Sequence, residues 1–329
     1  MVLYLGGSKN TRRRSTLYTT TVRIAITGTT GYLGRFVVKD LLDAGYTVAA
    51  QVRRTLNASD PLTDYDGRLE LICGNMEDAA SLEKLVHRCD AVVHMAFMSA
   101  TGSYRGGEGD DPAWFWDQNF GGTLRLVRAC RGKNVAKFIF LSSRAVFDGC
   151  QISDRFVDDT DDPVPVNHYG LLKWSSELLA NLYDEMTFCS LRPTGIYGLS
   201  WPRDRTKWWN LVTDPHLQDR DLSSLSNEVY TEVHGADVAE ALLLLLQQRH
   251  NDVHRRSFNC SDILVSERYL VQRCLRLLNN TSDKSSIDQL QPPINNMGTA
   301  GLTKLGWRGG GVKKLRQTLH EIQQVSEQL

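Results

Sequence analysis

The chain has 329 residues, 41% of them hydrophobic, with 38 basic and 38 acidic side chains and a formal net charge of zero. The length suits one large domain or two intimate ones, and the balanced charge excludes a general pull toward nucleic acid or an anionic membrane. No apolar run reaches the ~18–20 residues of a membrane span; seven scattered cysteines without a C-x-x-C pair indicate neither a metal site nor a disulfide framework, and free thiols in the cytoplasm fit them.

Residues 1–21 carry Arg12, Arg13 and Arg14, many Ser and Thr, and no acid. They are expected to form a disordered extension. The rival expectation is an Arg- and Ser-rich transit peptide, for which the necessary apolar face is weak. Strand and helix signals then alternate. TVRIAITG, TVAAQVR, LELICGN, DAVVHMA, VAKFIFLSS and FCSLRPTGIYG predict six strands. YLGRFVVKDLLDAGY, DAASLEKLVHRC, WFWDQNFGGTLRLVRACRGKN and NHYGLLKWSSELLANLYDEM predict helices between them. Such alternation predicts right-handed βαβ units and an α/β, doubly wound parallel sheet of Rossmann type. After Gly198 the rhythm breaks. The expected organisation is a dinucleotide-binding domain over 22–198, with 229–250 returning to it. A smaller, discontinuous substrate region takes 199–228 and 251–311, and a C-terminal amphipathic helix takes 312–329.

The first βα junction reads TGTTGYLG, with Gly28, Gly31 and Gly34 at three-residue intervals. One glycine can supply a tight turn, another close approach of a pyrophosphate, and a third close helix–strand packing. The helix N-terminus beyond them offers free N–H groups and a partial positive charge to a phosphate.

With its leading threonine, this spacing resembles the T-G-x-x-G-x-x-G of the extended short-chain dehydrogenases/reductases, the family of nucleotide-sugar epimerases, dehydratases and ketoreductases. The resemblance recurs in order along residues 22–310. VVHMAF resembles the family's H-x-A-A strand, with Phe97 in place of the second alanine. Asn119 matches a central-helix asparagine, FIFLSSRAVFDG the serine strand, YGLLK the Y-x-x-x-K pair and LRPTGIYG the R-P-x-x-x-Y-G landmark. VHGADVAEA and LGW match later landmarks. The resemblance implies cofactor contacts at Gly28, Thr30, Gly31, Tyr32, Leu33, Gly34, Asn75, Met76, Ala96, Asn119, Ser142, Tyr169, Lys173 and Pro193. Asn75 stands where the family usually has Asp. Asn119 is expected to stabilise the central helix and a water near the site.

Tyr169 and Lys173 are four apart and share one helix face. A neighbouring ammonium is expected to favour phenolate and lower the phenol's pKa, so that one tuned tyrosine serves as proton donor or acceptor. The partner hydroxyl is Ser142 or Ser143; alignment on AVFDG favours Ser143 as catalytic, with Ser142 near the cofactor. The second strand ends QVRRT, with Arg53 and Arg54 and no acid at its tip. An acid there would hold a ribose 2′-hydroxyl, whereas arginine accommodates a 2′-phosphate. NADP(H) is therefore favoured over NAD(H).

The resemblance implies an oxidoreductase acting at a carbonyl or hydroxyl of a sugar-like small molecule. Arg144 and Ala145 follow Ser143 where dehydratases carry Asp-Glu, which argues against dehydration. An NAD-dependent nucleotide-sugar epimerase is the alternative, and a nucleotide-sensing protein without chemistry a third. The Arg-x-aromatic motif that nucleotide-sugar enzymes often carry before VHxxD is missing from SNEVYTEVHGAD. Trp201, Arg203, Arg205, Trp208 and Trp209 are candidates for substrate contact or for core. His94 and His168 are expected to be structural. The family also implies a homodimer through helices around 114–131 and 169–186.

Overall fold

The computed structural model describes residues 22–65, 67–278 and 290–328, so the expected extension at 1–21 lies outside the described residues. The first half alternates as predicted. Strand β1 (Arg23–Thr27) leads to α1 (Tyr32–Asp43), β2 (Thr47–Val52), β3 (Leu69–Cys73), α2 (Ala79–Leu85) and β4 (Ala91–His94). The predicted long helix is α3 (Pro112–Trp116), one π-helical turn over 117–121, and α4 (Gly122–Gly132). Then come β5 (Lys137–Leu141), α5 (His168–Leu178), β6 (Thr187–Pro193) and β7 (Gly195–Tyr197).

FCSLRPTGIYG, predicted as one strand, is thus two. Pro193 ends β6, the Thr194 N–H turns to the Cys260 carbonyl at 3.0 Å, and Gly195 begins a strand of another sheet. A proline has no N–H for a continuing ladder, which is why the break falls there.

The remaining elements are α6 (Trp209–Val212), β8 (Tyr230–His234), α7 (Gly235–Gln247), α8 (His250–Val253), β9 (Ser257–Cys260), β10 (Ile263–Val265), α9 (Glu267–Leu278), α10 (Ala300–Lys304) and α11 (Gly311–Ser326). The main sheet has seven strands in the order β3-β2-β1-β4-β5-β6-β9, and every neighbouring pair is parallel. Its direction of winding reverses between β1 and β4, the crevice where such sheets bind ligands. Strands β1, β4 and β6 are almost wholly buried, as expected for a sheet covered on both faces. A second sheet runs β10-β8-β7.

Two boundaries differ from expectation. β9 lies inside 251–311 yet joins the main sheet beside β6, and Leu302 and Trp307 pack into the main core. Within 229–250, α7 packs on α1 as core, but β8 belongs to the second sheet. A separate apolar cluster joins Tyr197, Val212, Leu217, Leu270, Leu315 and Ile322, so α11 packs with the smaller lobe.

Candidate active site

The turn after β1 is built by its glycines. Gly28 has φ +75°, and a Cβ there would meet the Met95 carbonyl carbon at 2.7 Å. A Cβ on Gly34 would come within 2.3 Å of the Gly28 carbonyl oxygen, so Gly34 lets α1 start against the turn. Gly31 is the N-cap of α1 and no side chain caps that end. Its first N–H groups therefore stay available to an anion. Thr27 secures the crevice floor: its hydroxyl accepts from the Met95 and Ala96 amides and pairs with His94 Nδ1 at 2.6 Å.

A cleft of about 900 Å³ opens over this crevice. Gly28, Thr30, Gly31, Tyr32, Leu33, Gly34, Arg53, Asn75, Met76, Ala96, Ser142, Ser143, Tyr169, Lys173 and Pro193 all line it. Arg54 instead lines an adjoining cleft of about 730 Å³, which Arg53, Thr30 and Arg205 share with the first. Asn119 lines neither and its expected cofactor contact is corrected. Its amide accepts from Met98 N–H at 2.7 Å and donates to the Met98 and Phe115 carbonyls, each at 2.9 Å. It clamps the irregular segment after β4 to the central helix.

Ser143 caps a short 3₁₀ turn, its hydroxyl oxygen accepting from the Ala145 N–H at 3.2 Å. That leaves the hydroxyl proton for the neighbouring Tyr169 phenol. Lys173 Nζ donates to the Leu141 carbonyl at the end of β5 at 2.7 Å. The ammonium also faces the rings of Phe140, Phe97 and Tyr169, at 4.8, 5.5 and 5.8 Å from their centroids.

The electrostatics differ from expectation. Burial pushes the Tyr169 phenol above its ordinary range, with Ser143 and Arg105 acting in the opposite sense. Burial also brings Lys173 down to about 7, with Glu177 opposing. Desolvation thus dominates the phenol, and its lysine neighbour is not among the groups that lower it. The enclosing groups are Phe97, edge-on to the Tyr169 ring at 5.1 Å, and Tyr104, at 5.5 Å. Neither was a candidate from sequence. Phe97 was visible only as a departure from H-x-A-A, and the 99–111 loop carried no periodic signal.

The two histidines beside the motifs have structural partners. His94 lies between the hydroxyls of Thr27 and Thr123, and burial lowers it to about 3. His168 accepts from Trp116 Nε1 at 3.0 Å. In the tryptophan-rich segment, Trp208 packs on Tyr197 at 5.2 Å and joins Trp209 against the smaller core. Trp201 lines the adjoining cleft, and Arg203 sits over the Trp201 ring.

Sequence reasoning also missed further polar groups that line the cleft. Arg105 pairs bidentately with Asp148, at 2.6 and 2.8 Å. Lys207 pairs with Glu232, whose carboxylate packs on Gly195, where a Cβ would meet it at 2.5 Å. Arg144 lines the same cleft. These pairings join residues far apart in sequence, and no local pattern announces them.

The sequence matches the family model described as the NAD dependent epimerase/dehydratase family over residues 24–261. It is 28% identical over 244 residues to a 3 beta-hydroxysteroid dehydrogenase/Delta 5-->4-isomerase of Mycobacterium tuberculosis, covering 68% of this chain and 61% of that protein. It is also 28% identical to a UDP-glucose 4-epimerase of Lacticaseibacillus casei, over 53% of this chain and 52% of the relative. Among solved structures, the Thermus thermophilus UDP-glucose 4-epimerase in complex with NAD matches with a TM-score of 0.70 at 21% identity, covering 92% of this chain and 99% of that one. The chain spans less than two thirds of the length of these two curated relatives. The match over 24–261, with the glycine turn at the winding reversal, makes the chain a member of the NAD-dependent epimerase/dehydratase family.

Proposed function

We propose that the protein is an NADP-preferring oxidoreductase acting at a carbonyl or hydroxyl of a sugar-like substrate, with Tyr169 as proton donor and acceptor. The observation that carries this proposal is the convergence of Ser143, Tyr169 and Lys173 on the cleft that begins at the uncapped N-terminus of α1. The chain's residues fit a dinucleotide. Gly31 leaves the helix end open, and Ser142 Oγ and Gln51 Nε2 are buried, cleft-lining and without partners. Buried polar atoms of this kind call for a ligand or water. The α1 N-terminus would take the phosphates, Asn75 and Met76 would border the adenine, and Ala96, Ser142 and Pro193 would line the remainder. Arg53 and Arg54, with Arg205, surround the adjoining cleft and suit a 2′-phosphate.

When bound, the dinucleotide supplies or accepts the hydride. Tyr169 gives its phenolic proton to the carbonyl oxygen as the alkoxide forms, or takes it back in the reverse direction. Ser143 turns its one hydroxyl proton from the phenol to the same oxygen and holds it in place. Lys173, once charged, stabilises the phenolate left behind. Tyr169→Phe tests the assignment: cofactor affinity should stay within about twofold while turnover falls by at least ~100-fold. Unchanged turnover would refute it.

A homodimer belongs to the same proposal. Leu124 on α4, Leu171 and Leu178 on α5, and Leu182 just beyond are large apolar side chains left exposed, on the two helices expected at the interface. Seven free cysteines support placement in a reducing cytoplasm, and no described helix is long and apolar enough to cross a membrane.

A further inference from the structure

The cleft concentrates buried polar atoms without partners. Besides Ser142 and Gln51 at its cofactor end, Arg144 Nε, Thr194 Oγ1 and Glu232 Oε2 line it and bond to nothing among the described residues. Such atoms are rare in folded proteins, and several facing one cavity indicate a polar ligand.

The charges lining the cleft around Ser143 and Gly195 can be followed one by one. Arg105 is neutralised by Asp148, whose two oxygens it occupies. Asn167 adds a weak bond to that carboxylate at 3.3 Å. Lys207 is neutralised by Glu232. Arg144 follows Ser143 directly, lines the cleft, and has no ion pair or side-chain hydrogen bond among the described residues. Asp148 is near enough to be felt by the Arg144 guanidinium, yet is committed to Arg105. An arginine stays charged under any ordinary burial, so one positive charge beside the catalytic hydroxyl is left over.

We infer that Arg144 is the specificity residue for a carboxylate on the substrate, and that the substrate class is a polyhydroxy acid. This rests on the proposal that the substrate's reacting carbon lies beside Ser143 and Tyr169. The unpaired Arg144 guanidinium matches a carboxylate in charge and in planar two-point geometry. A phosphate monoester carries about −1.5 to −2 charges at neutral pH and would call for a second free cation; Arg53 and Arg205, which also line the cleft without an ion pair among the described residues, are the ones proposed for the dinucleotide's 2′-phosphate. The unpartnered Glu232 Oε2 accepts a substrate hydroxyl, and Thr194 Oγ1 can donate or accept one. A carbonyl carbon held at Tyr169 then lies in a molecule with an acid at one side and hydroxyls at the other.

The test uses four- to six-carbon aldonates and their neutral amides, titrated by calorimetry into the protein saturated with NADP⁺. At least one aldonate should bind wild type ten or more times tighter than its amide. Arg144→Gln should weaken that aldonate roughly 10- to 100-fold, the usual worth of a charged hydrogen bond, and leave the amide within twofold. Arg144→Lys should restore part of the preference. NADPH binding by each variant certifies its fold. Aldonates indistinguishable from amides in wild type, non-binding of both included, overturn the inference; so does a preference that survives Arg144→Gln. NADP⁺ reduction at 340 nm, followed in the same samples, separates the two proposals. Acid-selective binding with no turnover of any probe defeats the oxidoreductase proposal alone. Turnover of neutral probes without acid preference defeats the Arg144 assignment alone.

Discussion

Phe97 meets the Tyr169 ring edge-on at a centroid distance of 5.1 Å. The family pattern has alanine at that position, so here a large side chain seals the phenol that the proposed chemistry needs. Sealing disfavours phenolate, because a buried charge loses its hydration. In the reductive direction Tyr169 must be protonated, so activity should persist to unusually high pH. Phe97→Leu admits more water and should move the basic limb of kcat downward by roughly half to one pH unit. A pH–rate profile of both proteins checks this.

Lys173 is held down to about 7 by burial. An anion entering the cleft favours its charged form. Binding of NADPH at pH 8 should therefore be accompanied by uptake of up to about one proton. Calorimetry in two buffers of different ionisation enthalpy measures that number. Lys173→Met should abolish most of the uptake.

His94 is buried and lowered to about 3, and His234 is lowered to about 4, burial being the main cause for each. Between these values and the ordinary histidine pKa, the unfolded chain binds protons that the folded chain does not. Stability is therefore present above about pH 6.5 and lost as pH falls, by at most ~1.4 kcal/mol per histidine per pH unit. Urea unfolding at pH 7 and pH 5 checks the sign, and neither imidazole should titrate by NMR between those values.

Much of the site is local in sequence and could be read there. The glycine turn occupies eight residues, and Tyr169 and Lys173 are one helical turn apart. Their order along an alternating chain places them beyond the carboxyl ends of the strands of one parallel sheet, and they line one cleft. What stayed hidden is non-local. Whether Tyr169 is lowered by Lys173 or raised by burial depends on Phe97 and Tyr104, more than sixty residues away in the chain. That Arg144 is unspent depends on Arg105 taking Asp148. Asn119 matched a motif, yet only the packed structure shows both ends of its amide committed to backbone.

The exposed leucines of α4 and α5 make the proposed dimer testable. Leu178→Lys with Leu182→Lys should shift sedimentation at micromolar concentration from dimer to monomer, while leaving the cofactor cleft, which neither residue lines, able to bind NADPH. A wild-type protein that sediments as a monomer would contradict the proposed assembly.

In the proposed complex a nicotinamide dinucleotide carrying a 2′-phosphate enters the cleft and meets Arg53 and Arg54. Fluorescence titration of nucleotide-stripped protein with NADPH and then NADH should show NADPH binding at least ~10-fold tighter, with Arg53→Ala and Arg54→Ala each eroding that preference and leaving NADH affinity nearly unchanged. Equal or tighter binding of NADH, or an NAD that cannot be stripped, would contradict this complex and favour the epimerase.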